Sequence, residues 1–84
     1  MPPEDVAREI AAEAERFQAG DSDLIAFQAK FMGSLHDLCR DEPLSGDHLE
    51  LFFALEAWEE SVGRDRRNAA ERVAEVAGRL AAGA

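Results

Sequence analysis

The sequence has no tyrosine, a single cysteine and few β-branched residues. With Cys39 alone an intramolecular disulfide is excluded, and an unpaired thiol suits a reducing compartment better than a secreted disulfide scaffold. No apolar run approaches the roughly 20 residues that span a bilayer. The opening Met-Pro-Pro-Glu-Asp-Val carries neither the basic start nor the apolar stretch of a signal peptide, so a cytoplasmic protein is expected.

Chemistry-bearing patterns are equally scarce. The glycines fall at helix ends and build no phosphate-binding loop. Ser34 and Ser45 have no base-and-orienter arrangement around them. His36 and Cys39 at i, i+3, with His48 and Glu50 across the next loop, are the only metal-ligand candidates, and they match no finger spacing. The glutamates never form the Glu-x-x-His pattern of carboxylate-bridged metal bundles. The chain is therefore expected to be no enzyme and to carry no metal and no cofactor.

What the sequence does have is alanine, leucine, glutamate and arginine, the composition of helices. With 46% hydrophobic residues it is too apolar for a disordered chain, and 84 residues make one small domain. Helix 1 is predicted from about Pro3 to Ala19, with proline in the first turn, Glu4 and Asp5 at the positive dipole end, and Gly20 as the stop. Val6, Ile10, Ala14 and Phe17 form its narrow apolar stripe. Helix 2 is predicted after a cap at Asp21 or Ser22 and runs to about Cys39. Its broad arc is Leu24, Phe27, Phe31, Met32, Leu35 and Leu38, with Cys39 as a buried small hydrophobe at the edge.

Arg40 to Gly46 reads as a loop. Asp47 with Glu50 resembles a capping box opening helix 3, which is expected to reach about Val62 with Leu51, Leu55, Trp58 and Val62 facing the core. Helix 4 is expected to begin after Asp65 or Asn68, to bury Ala69, Val73, Val76 and Leu80, and to end at Gly83. Four amphipathic segments with short connections predict an all-α fold, a small antiparallel four-helix bundle. Gly63 is the one strong break between helices 3 and 4, which leaves a single bent helix as the alternative.

The net charge of −9 is unevenly spread. Residues 47–63 hold five acids and no base, whereas residues 64–84 hold three acids and five arginines. So acidic a chain repels nucleic-acid phosphates, and it suits docking on a basic protein, although the same charge also simply keeps a small protein in solution. Glu56, Glu59 and Glu60 share one face of helix 3 by their i, i+3, i+4 spacing. At about 100° per residue Phe53 points toward them and away from the core stripe, with Phe52 between the two faces. An apolar anchor ringed by carboxylates is the layout of an interface for a basic partner. A helix sandwiched between neighbours would instead bury Phe53, and both readings stay open at this level. Arg64, Arg66 and Arg67 oppose the dipole at the start of helix 4, so they are expected to bridge to acids of helix 1 or 3.

Four stretches follow in an order that resembles the bacterial self-protective colicin-like immunity proteins. They are Glu15-Arg-Phe-Gln-Ala-Gly20 before a capped helix, Phe27-x-x-x-Phe31-Met32-x-x-Leu35, Leu51-Phe52-x-x-Leu55-Glu56-x-Trp58, and the arginine-bearing terminal helix ending in Leu80. The resemblance implies an acidic helical bundle that neutralises a cognate toxin, often a basic nuclease. The leading expectation is thus an immunity-like inhibitor binding through Glu56, Glu59, Glu60, Phe53 and Glu50. The alternatives are a structural homo-oligomer or small subunit of a larger assembly, and a regulatory or phage-type protein mimicking nucleic acid.

Overall fold

In a computed structural model that describes residues 3–40 and 42–82, the chain forms four α-helices: α1 (Pro3–Gln18), α2 (Leu24–Leu38), α3 (Gly46–Glu60) and α4 (Gly63–Ala82). The described residues include no strand. The Cα radius of gyration is 12.1 Å, close to the roughly 12 Å expected of a compact domain of this length. No helix is long and apolar enough to cross a membrane among the described residues.

Local chemistry sets the boundaries. Gly20 closes α1 at φ 85°, where the Gly20 N–H donates to the Phe17 carbonyl and the Asp21 N–H donates to the Arg16 carbonyl. These are the paired bonds of a Schellman motif, which needs a left-handed residue best supplied by glycine. The cap of α2 is Asp23, one or two residues after the expected Asp21 or Ser22. Its carboxylate accepts from the Ala26 N–H at 2.8 Å. At α3 the expected capping box does not form: Ser45 occupies the cap position, Asp47 lies inside the first turn, and Glu50 turns to α4 instead. Helix α4 begins at Gly63, earlier than Asp65 or Asn68. The expected stop at Gly83 lies outside the described residues.

α3 and α4 are separate helices. Ser61 is extended (φ −93°, ψ 161°) and Gly63 is left-handed (φ 62°), so no continuous helix passes this corner. Val62, expected on the core face of α3, is 79% exposed because α3 has already ended at Glu60. Helical spacing carried one turn too far placed it inside.

One core joins all four helices: Val6, Ile10 and Ala14 of α1, Phe27 and Phe31 of α2, Leu51, Leu55 and Trp58 of α3, and Val73, Val76 and Leu80 of α4. Ala11 and Ala77 widen the two narrow stripes and are also buried. α4 packs along α3 and α1, and α1 packs along α2. Phe17 and Phe27 stack with centroids 5.1 Å apart, and Lys30 of α2 pairs with Glu9 of α1 at 3.6 Å. Gln18 donates to the Ala74 carbonyl at 2.7 Å, with its side chain lying over Gly78. Cys39, expected to be buried, is exposed, with its thiol donating to the Leu35 carbonyl. It sits in the cap position of α2, where the chain turns away from the arc.

Candidate protein-binding face

The outward side of α3 is assembled by helical rotation alone. Taking Phe53 as origin and about 100° per residue, Glu60, Glu56, Phe52 and Glu59 follow within an arc of about 120°, whereas Leu51, Leu55 and Trp58 lie opposite. The structure matches this layout. Leu51 and Leu55 are fully buried, while Phe53 is 57% exposed and Glu56, Glu59 and Glu60 are exposed. Phe53 is therefore not sandwiched against a neighbouring helix. Phe52 is half-buried against the core and meets the Phe53 ring edge-on at 5.9 Å.

The two flanks of this arc differ. Glu59 faces α2, where Gln28 Nε2 donates to it at 3.2 Å. Glu50 lies on the other flank and faces α4. Arg72 approaches it at 3.1 Å and Arg79 forms a still closer pair, with Arg79 also 3.4 Å from Asp47. The hydrogen bond to Glu50, helped by the charges of Glu50, Asp47 and Glu75, raises the Arg79 pKa further above the ordinary guanidinium range. Of the five residues read from the sequence as partner-binding, four thus lie on one open arc, and Glu50 stands apart inside an ion-pair cluster.

The last turn of α3 has no base, and among the described residues Glu56, Glu59 and Glu60 form no ion pair. Carboxylates at a helix C-terminus oppose the dipole, so this cluster contributes nothing to the stability of its own helix. The arginines expected to answer it do not do so. Arg72 and Arg79 make the bridges between α3 and α4, because they lie alongside the packed length of α3. Arg66 instead lies over the Trp58 ring at 4.3 Å from its centroid.

Among the described residues the exposed large hydrophobics are Ile25, Phe53 and Val62. Ile25 lies one helical turn before Gln28, which joins α2 to Glu59, and Val62 lies on the connection that follows α3. Sequence reasoning gave Ile25 no role. Helical rotation puts it only about 20° beyond Met32, at the edge of the apolar arc of α2, so spacing alone does not single it out.

A half-open cleft of about 310 Å³ lies at the other end of α3, lined by Glu4, Arg8, Asp47, His48 and Arg79 among others. Its arginines are engaged, Arg8 with Asp5 and Arg79 with Glu50 and Asp47. His48 Nε2 is buried there without a hydrogen-bond partner, and burial lowers its pKa despite the opposing charge of Asp47. No three His, Cys, Asp or Glu side chains converge as a metal-ligand set among the described residues. No protein-family model, curated protein or solved structure matches the chain.

Proposed function

We propose that this chain is a non-catalytic binding module, built as an antiparallel four-helix bundle, that docks the outer face of α3 on a basic protein in the manner of an immunity-like inhibitor of a nuclease toxin. The observation that carries the reading is the exposure of Phe53 beside three glutamates that neither pair with a cation nor help their own helix. Phe53 and the edge of Phe52 supply the apolar centre. Glu56, Glu59 and Glu60 supply the rim that steers a cationic surface and fixes its register. Glu50 enters only at the flank, its charge offset by Arg72 and Arg79.

The same face accounts for inhibition without chemistry, since carboxylates set against a cationic nucleic-acid groove occupy the place of phosphates. The resemblance in sequence order to colicin-like immunity proteins agrees with this reading. The test is capture of basic proteins from a lysate on the immobilised protein, compared with the variant Glu56→Lys/Glu59→Lys/Glu60→Lys. A basic protein bound at low salt and released at high salt is expected with the native chain and lost with the variant, while circular dichroism shows unchanged helix content. Equal capture by both would remove this face from the proposal.

A further inference from the structure

The corner between α3 and α4 carries a second surface. Residues 62–68 are all exposed, so the first turn and more of α4 lies outside the core before Ala69 enters it. The exposed segment holds Arg64, Arg66 and Arg67 against one acid, Asp65. Cations at a helix N-terminus oppose its dipole, so helix stability does not explain them.

Immediately before this basic segment come Glu56, Glu59 and Glu60, placed against the dipole of their own helix as well. The two sets adjoin across the two-residue Ser61–Val62 connection, yet no ion pair joins them. Val62, 79% exposed, lies between them in sequence, with Ile25, 65% exposed, beside the Gln28–Glu59 contact. The corner thus carries an exposed acidic set and an exposed basic set, with exposed Val62 on the connection between them. Such a bipolar surface is self-complementary about a two-fold axis, which lays the acidic set of one copy on the basic set of the other and brings Val62 near its own mate.

We infer that the chain self-associates through this corner, with Arg64 and Arg67 of each copy meeting Glu56, Glu59 and Glu60 of the other in a salt-sensitive dimer. The inference goes beyond partner docking. Because it uses the same glutamates, self-association masks the α3 face, and a basic partner and the second copy compete for it.

Sedimentation equilibrium at low and high salt tests the idea, with the variants Arg64→Glu/Arg67→Glu and Glu56→Lys/Glu59→Lys/Glu60→Lys measured singly and mixed. A dimer that dissociates with salt is expected for the native chain, weakened about tenfold or more in each variant alone. In the mixed pair both contacts become complementary again, so a heterodimer is expected. A native chain that stays monomeric at every concentration and salt would overturn the inference, as would a mixture that fails to associate. Phosphate-bearing oligonucleotides that bind the native chain but not Arg64→Glu/Arg67→Glu would assign the arginines to nucleic acid and likewise overturn it. The arginine variant leaves the α3 face intact and adds acids where the dipole favours them. It is expected to fold and to keep any basic partner, so failure of the dimer and failure of partner docking are read separately.

Discussion

The two ends of the α3–α4 pair use the same residue types to opposite effect. Where α3 begins, Asp47 and Glu50 face Arg72 and Arg79 of α4, and the two terminal charges, Asp47 in the first turn of α3 and Arg79 in the last turn of α4, agree with their helix dipoles. Where α3 ends and α4 begins, Glu56, Glu59 and Glu60 adjoin Arg64, Arg66 and Arg67, each set opposes its own dipole, and no ion pair forms between them. The first end is paired within the chain, and the second keeps its charges unpaired among the described residues. Charge counts alone do not distinguish the two, because composition near both ends is similar. Pairing and dipole sign do.

The largest effect expected is at the core that supports both ends. Leu55→Ala removes a fully buried side chain and is expected to cost about 2–5 kcal/mol in chemical denaturation. Phe53→Ala, two positions away on the open face, is expected to stay within about 0.5 kcal/mol. A comparable loss at Phe53 would show that the outer face is structural and would dissolve the contrast.

The next effect separates the ends directly. Glu50→Gln leaves Arg72 and Arg79 without their shared carboxylate, and because these side chains are 42–48% exposed, solvent screening holds the expected loss to about 1 kcal/mol or less. Glu60→Gln is expected to be neutral or slightly stabilising, by a few tenths of a kcal/mol, since it removes a charge that opposes the dipole. Thermal melts of the two variants side by side test the sign as well as the size.

The smallest effect is a pH slope at the paired end. Burial lowers the folded His48 pKa below the ordinary imidazole value of 6.5, so the unfolded chain takes up the proton first. Stability is then full above pH 6.5 and declines as pH falls from 6.5 through the folded value. His48→Gln is expected to flatten that part of the profile, measured as denaturation midpoints across the range. An unchanged slope would place its origin elsewhere.

Much of this was legible in the residues. The apolar spacing in helices 1 and 2 named Val6, Ile10, Ala14, Phe27 and Phe31, all of them buried. The stop at Gly20 was equally clear, because only a few residues take the left-handed conformation without strain. The boundaries of α3 and α4 were less legible. Asp47, Asp65 and Asn68 are all competent caps, and propensity cannot say which one the packed structure uses. Val62 was misplaced for the same reason: period alone does not register where a helix stops. The cation–carboxylate pairs were half legible. The basic character of helix 4 was plain, but Arg72 and Arg79 reach α3 only because the two helices pack side by side.

The helical class, the buried stripes and the acidic arc of α3 are readable from the residues, because each follows from a local period, a local charge or a local cap. Packing between helices settles that Phe53 faces solvent, that Glu50 is claimed by two arginines, and that Arg64 and Arg67 stand clear of the core while Arg66 covers Trp58. Those outcomes depend on which helix lies against which and how far each extends. Relative placement of this kind is fixed by burying four stripes at once, which no single segment encodes.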